Sequence, residues 1–369
     1  MVLVSSLVLV ACANDRAPEP TPDEAADSGS LDLENVETVA GELSIPWDVA
    51  FADEQTILVT ERTGAVRVIE DGRVRPEPAA EIDVRISGEG GLLGIALHPD
   101  FPDERLAYLY YTAGDENRVS RFTLDASLRF GDEETVIDGI PAGRIHDGGR
   151  IAFGPDGMLY VGTGDAGNGA QAADRDSLAG KILRVTPDGS VPDDNPFAGS
   201  AVYSYGHRNV QGLAWDDDGR LYASEHGPTG EAGLCCHDEI NRIEPGSFYG
   251  WPYLAGAEPA EEGEAPAEPV APLAESGETT WAPAGLTVHQ PTDGPAEVLV
   301  ATLRGERLLR FELAGDDIEP PDAILEGFGR LRAARFGPDD CLYLTTSNTD
   351  GRGTAQDDDD RVLRACPSE

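Results

Sequence analysis

One phrase recurs along this 369-residue chain, and it limits the possible folds more than any other feature. An apolar residue leads into a turn of Pro, Asp or Gly. Leu-Tyr-Val or a similar triplet follows, and a polar loop ends the unit. Ala152-Phe-Gly-Pro-Asp-Gly-Met-Leu-Tyr-Val-Gly-Thr-Gly-Asp165 is the clearest copy. The segments Ala50 to Glu61, Ala96 to Thr112, Ala214 to Glu225, Pro291 to Thr302 and Arg335 to Thr346 carry the others. Each reads as a hairpin, two short strands around a tight turn. The spacing is uneven, roughly 45 to 75 residues, as for propeller blades with loop insertions. Strand-like runs such as Ala65 to Ile69 and Val119 to Leu124 lie between copies, and helical periodicity is almost absent. The expected fold is all-β, a six-bladed β-propeller of four-stranded antiparallel blades spanning residues 36–366. A two-sheet sandwich is the alternative, but it has no reason to repeat one phrase six times. Residues 254–280, rich in Ala, Pro and Glu, read as an acidic loop insertion within this domain.

Residues 1–12 are apolar, too short to span a bilayer, and have the length of a signal-peptide core. Leu9-Val10-Ala11-Cys12 looks like a bacterial lipobox, although a basic stretch before it is missing. An ordinary signal peptide with a chance cysteine is the alternative. Residues 13–35 are Pro-rich and acidic, a composition that buries no core and reads as a flexible tether. The expectation is an exported cell-envelope lipoprotein, periplasmic or on the outer surface, whose only membrane contact is a lipid on Cys12. Cys235, Cys236, Cys341 and Cys366 remain, an even number in an exported chain, which suggests disulfides. Cys341 with Cys366 would staple the C-terminus; Cys235 and Cys236 are candidates for a vicinal bridge. The net charge of −42 argues against nucleic-acid and anionic-membrane partners. Solubility at high salt and GC-rich codon usage both account for it.

In a propeller, loops leaving equivalent strands converge on one face, so polar residues at phrase ends are site candidates. His146, in Arg144-Ile-His-Asp-Gly-Gly149, should approach Asp165, and a carboxylate raises a histidine's basicity and fixes its tautomer. Arg208 and Asn209 occupy another loop, in Tyr205-Gly-His-Arg-Asn-Val-Gln-Gly212. Arg304, Arg330 and Arg332 flank late strands, and such clustering against a negative background suggests an anionic ligand. Solvated ion pairs are the plainer explanation for each arginine. Carbonyls and carboxylates in Glu225-His-Gly-Pro228 and around Asp238-Glu-Ile-Asn suit a hard cation, but their spacing is not an EF-hand.

Together these segments resemble the soluble quinoprotein glucose dehydrogenase and aldose sugar dehydrogenase family. Gly88-Glu-Gly-Gly-Leu-Leu-Gly94, His98-Pro-Asp-Phe101, Gly206-His-Arg-Asn-Val-Gln-Gly212, Glu225-His-Gly-Pro228, Asp238-Glu-Ile-Asn241, Tyr249-Gly-Trp-Pro252 and Cys341-Leu-Tyr-Leu-Thr-Thr-Ser-Asn348 carry the likeness in order. The resemblance implies a six-bladed propeller that binds pyrroloquinoline quinone (PQQ) and Ca²⁺ and oxidises aldoses to lactones, with an unidentified electron acceptor. It implies His146 as general base, Asp165 as its support and Arg208 as the group polarising the quinone carbonyl. Asn209, Arg304, Arg330 and Arg332 match cofactor contacts. The carbonyls of Gly227 and Pro228 match the catalytic calcium, and Glu239 and Tyr249 match a second one. Glu89 and Trp281 match the sugar cleft. Four departures bear on substrate choice: Glu89 stands where some members carry glutamine, Arg304 stands where lysine is common, an insertion carries Cys235 and Cys236, and the acidic segment 254–280 would alter the cleft wall. A non-catalytic binding propeller and a calcium-dependent lactonase are the rival functions; neither needs this basic set together with His146.

Overall fold

The computed structural model describes residues 31–368 apart from 231, 232, 262 and 293. The expected signal peptide 1–12 and most of the tether 13–35 lie outside the described residues.

Six antiparallel sheets follow one another along the chain. Blade 1 runs Pro46–Asp53, Thr56–Glu61, Ala65–Glu70 and Arg73–Val74, with Ala80–Glu81 also on its third strand. Blade 2 runs Leu92–Leu97, Leu106–Ala113, Glu116–Leu124 and Phe130–Pro141. Blade 3 runs Ile151–Phe153, Leu159–Gly162, Lys181–Val185 and Val202–Tyr205. Blade 4 uses Val210–Trp215, Leu221–Glu225 and Glu239–Ile243, and takes its outer strand, Ala274–Glu275, from the acidic segment 254–280. Blade 5 runs Pro283–His289, Glu297–Thr302 and Arg307–Ala314, edged by Asp317–Ile318 and Asp322–Glu326. Blade 6 runs Leu331–Phe336, Leu342–Thr346 and Val362–Ala365, and its outer strand is Glu37–Ala40 from the start of the described chain. That pairing closes the ring. The Cys341–Cys366 disulfide ties the second strand of the same blade to the C-terminal segment. Leu31 pairs with Pro367 beyond it.

The repeated phrase has a physical explanation in two sets of contacts. Its Asp accepts a hydrogen bond from its own Tyr hydroxyl, clamping the hairpin. Tyr160 donates to Asp156 at 3.0 Å, Tyr222 to Asp216 at 3.1 Å and Tyr343 to Asp339 at 2.9 Å. The same tyrosines, or their equivalents, pack against the aromatic that ends the next blade's inner strand. Tyr108 meets Phe153 at 5.0 Å, Tyr160 meets Trp215 at 5.0 Å, and Tyr343 meets Phe51 at 4.9 Å across the ring closure. One phrase therefore builds both the hairpin and the joint between blades. The apolar clusters lie in those joints: Leu58 and Val68 of blade 1 with Ile95 and Leu109 of blade 2, and Leu299 of blade 5 with Leu344 of blade 6.

Polar groups fill the axis. Asp48, fully buried on the first inner strand, accepts from Arg335 of blade 6 at 3.0 Å through each carboxylate oxygen. It also pairs with Arg150, which leads into blade 3 and bonds the Gln211 carbonyl of blade 4 at 2.9 Å. The Ile95 N–H of blade 2 reaches it at 3.3 Å. One carboxylate of blade 1 thus meets groups from blades 2, 3 and 6, and Arg150 carries the link on to blade 4. The only α-helix among the described residues is Gly169–Ala173, and no helix there is long and apolar enough to cross a membrane.

Candidate active site

The site forms where chain segments enter the inner strands of blades 3, 4 and 6. His146 sits just before blade 3 with φ of 60°, a left-handed conformation that costs a non-glycine residue about 1–2 kcal/mol. Its surroundings impose it. Glu89 Oε2 accepts the His146 N–H at 2.8 Å, and the His146 carbonyl accepts the Ala166 N–H at 3.1 Å. Gly164 lies so close that a Cβ there would stand 1.9 Å from that carbonyl. The loop after the second strand of blade 3 brings Asp165, whose Oδ1 is 2.6 Å from His146 Nδ1. A buried carboxylate accepts only, so the proton belongs on Nδ1 and the lone pair on Nε2.

Asp165 is itself oriented. Its Oδ2 accepts the Trp251 indole N–H at 2.8 Å, and its backbone N–H bonds the Arg208 carbonyl at 2.8 Å. The buried Arg208 guanidinium lies 5.5 Å from the Trp251 ring and donates to the His226 carbonyl at 3.1 Å. Beneath, Lys181, the only lysine of the chain, donates to the carbonyls of Gln171, Ala172 and Ala179 at 2.8, 2.9 and 2.6 Å. Burial pushes its ammonium down to about 7. It ties together the loop that follows Asp165.

Beside His146 opens a cavity walled by Trp47, Arg62, Glu89, Gln211, His226, Arg332, Asp350 and Arg352. Burial pushes Arg332 down to about 9 despite Asp350. Burial also raises Glu89, but His226, the His146 N–H and Arg352 together hold it below its ordinary value. Glu89 Oε1 meets Arg352 at 3.1 Å, so this residue of the expected sugar cleft carries its own counterion. Burial is the main force lowering the His226 imidazole, to about 4.

His146, Asp165, Arg208 and Asn209 are therefore brought together, as their positions in the repeat suggest. The arginines divide. Arg330 and Arg332 converge on Asp350, at 2.9 and 3.9 Å, but only Arg332 walls the cavity. Arg330 is committed to Asp350 and to the Ser347 and Leu303 carbonyls. Arg304 is exposed, and the cavity instead has Arg62 and Arg352, which sequence reasoning missed. Trp281 packs edge-on to Phe311 at 5.6 Å rather than lining this cavity. Trp251 was also missed, although the Tyr249-Gly-Trp-Pro252 motif contains it.

Two oxygen-rich places lie near. Gly227 packs against the Cys236 and His237 carbonyls so closely that a Cβ would stand 1.8 and 2.3 Å from them. Its N–H donates to Asp238 Oδ1 at 2.9 Å, and Asp238 Oδ2 takes the Trp281 and Ala282 N–H groups at 2.7 and 2.8 Å. The Cys235–Cys236 disulfide adjoins this turn. Deeper in blade 4, Glu239 pairs in register with Glu225, and burial followed by Glu225 pushes its carboxyl up to about 8. The buried Asn241 Oδ1 beside them has no hydrogen-bond partner among the described residues. Tyr249 stacks on His207 at 4.7 Å, and His207 bonds Glu225 at 2.8 Å. The Tyr249 hydroxyl accepts from the Glu244 N–H at 2.8 Å and donates to the Arg242 carbonyl at 2.7 Å.

Residues 43–355 match the family model for glucose/sorbosone dehydrogenases. The structure is similar to the PQQ-bound aldose sugar dehydrogenase of Streptomyces coelicolor, with a TM-score of 0.81 and 44% identity over 92% of this chain and 98% of that one. An aldose sugar dehydrogenase of Escherichia coli is 32% identical over 86% of this chain and 91% of its own. Quinoprotein glucose dehydrogenase B of Acinetobacter calcoaceticus is 32% identical over 69% of this chain and 60% of its own. With this fold, these ordered motifs and a family match over most of its length, the chain belongs to the glucose/sorbosone dehydrogenase family.

Proposed function

We propose that this protein is an exported PQQ-dependent dehydrogenase, tethered through Cys12, that oxidises the C1 hydroxyl of aldoses to lactones. The observation that carries the reading is the His146–Asp165 pair at 2.6 Å beside a cavity walled by guanidinium groups. PQQ is a planar tricarboxylate, and Arg62, Arg332 and Arg352 with Gln211 and Trp47 match that chemistry in a protein of net charge −42. Arg208 and Asn209 would hold its far side. The carbonyl cradle at Gly227 and Pro228 fits a hard cation, as do Glu239 and the Tyr249 carbonyl, and Ca²⁺ is the cation proposed for both. Bound there, the quinone would take the hydrogen leaving C1 with its electron pair, and Ca²⁺ would serve it as a Lewis acid.

The chain's own residues supply the rest. His146 Nε2 removes the C1 hydroxyl proton, and Asp165 stabilises the imidazolium that results. Trp251 keeps the Asp165 carboxylate turned toward His146. Glu89 and Arg352 stand at the cavity wall where a sugar would contact them. A lactonase has no need of three guanidinium groups in this wall, which favours the dehydrogenase.

The test is reconstitution of the purified protein with PQQ and Ca²⁺, followed by dye reduction with a panel of aldoses. Activity is expected; no activity and no spectral change of PQQ would refute the reading. His146→Ala should keep PQQ and lose turnover by on the order of 10²–10⁴-fold. Unchanged turnover would remove His146 from the mechanism.

A further inference from the structure

His226 walls the cavity, yet its side chain has no part in the chemistry above. Its Nε2 is sealed from solvent and has no hydrogen-bond partner among the described residues. The roles of its ring nitrogens follow from neighbouring bonds. Asn209 Oδ1 faces the Gly148 N–H at 3.0 Å and Gln211 Nε2 at 3.2 Å. A backbone N–H only donates, so the Asn209 atom there must be oxygen. Gln211 Nε2 also donates to the Gly148 carbonyl at 3.0 Å, which fixes that amide too. The other end of the Asn209 amide, the NH₂ group, then lies 3.3 Å from His226 Nδ1. An amide NH₂ only donates, so Nδ1 accepts, and the proton of the neutral ring sits on Nε2. The backbone holds the residue in place: its N–H bonds the Asn209 carbonyl at 3.2 Å and its carbonyl takes Arg208 Nη1 at 3.1 Å.

We propose that His226 is a cofactor-binding residue, presenting a preset neutral Nε2–H donor to an acceptor oxygen of the quinone cofactor. The inference rests on the PQQ reading above. A buried donor lacking an acceptor is unfavourable, so a ligand oxygen meeting it gains affinity.

The experiment has two arms. On the apoprotein, ¹⁵N-histidine NMR at pH 7.5 should show His226 as the Nε2–H tautomer; an Nδ1–H tautomer overturns the proposal. In the second arm, PQQ binding is titrated by tryptophan quenching, without sugar or turnover. His226→Leu should weaken binding roughly tenfold or more, and His226→Gln, which keeps an Nε2 donor, should stay within a few-fold of wild type. Circular dichroism melts identify any variant that fails to fold, and the glutamine variant is then read alone, with a tenfold loss counting against the proposal. If wild type binds PQQ and His226→Leu binds equally well, the proposal fails while the cofactor reading stands. If wild type binds no PQQ, the cofactor reading fails and this assignment with it, whatever the tautomer.

Discussion

Asp48 on the axis and Glu239 in blade 4 are both buried carboxylates, but Asp48 meets Arg150 and Arg335 whereas Glu239 faces Glu225. At the axis the chain supplies its own cations, joined by the N–H groups of Val49 on the same strand and Ile95 of blade 2. In blade 4 it places two carboxylates and the unpartnered Asn241 oxygen together, with no arginine or lysine on Glu239 among the described residues. A buried charge is tolerable when paired and costly when not. The axis therefore reads as scaffold, and the blade 4 nook is where the cation proposed above would offset an unpaired burial.

The contrast is open to direct attack. Asp48→Ala leaves two guanidinium groups without their partner, and urea unfolding should show a loss of about 3–5 kcal/mol. The loss should be the same with Ca²⁺ or with a chelator; a loss that Ca²⁺ rescues would break the distinction. For the wild-type protein, Ca²⁺ at a hundred times its Kd should add about 2.7 kcal/mol, seen as a rise in melting temperature. Glu239→Gln should reduce that rise sharply, and an undiminished rise would remove Glu239 from the cation site. Without metal, Glu239→Gln should be neutral or stabilising, by roughly 1 kcal/mol, because it relieves the opposition to Glu225.

The smallest effect is a pH trend with a defined sign. Glu239 titrates near 4.5 in an unfolded chain and is pushed up to about 8 in the folded one. Its folded state thus holds a proton that the unfolded state has released between those values. The metal-free stability it contributes is complete below about pH 4.5, falls as pH rises, and is gone above about 8. Calcium reverses the trend, since it needs the ionised carboxylate, so the melting-temperature rise it causes should grow from pH 5 to pH 8. Melts at both pH values, with and without chelator, check both signs, and Glu239→Gln should flatten them.

Much of the frame was legible in the chain. The turn residues of each phrase revealed the hairpins, and in three of them the Asp and Tyr clamp the turn they mark. Equivalent loop ends in the repeat already place His146 near Asp165. The arginines were less legible. Arg330 and Arg332 differ by two positions, yet one is held by Asp350 and backbone carbonyls while the other walls the cavity. Arg62 and Arg352 lie in no recognised motif, and nothing in Pro46-Trp47-Asp48 marks Asp48 as the carboxylate of the axis.

The sequence alone determined the repeated hairpins and the loop ends at which chemistry gathers. These depend on side-chain alternation and turn residues acting over a few positions. Tertiary structure decided which charges are spent on scaffold and which face a ligand. That choice depends on partners far away in the chain, as Arg335 with Asp48 and Arg352 with Glu89 show. Only closure of the ring brings such groups within a few ångströms, where desolvation makes pairing decisive.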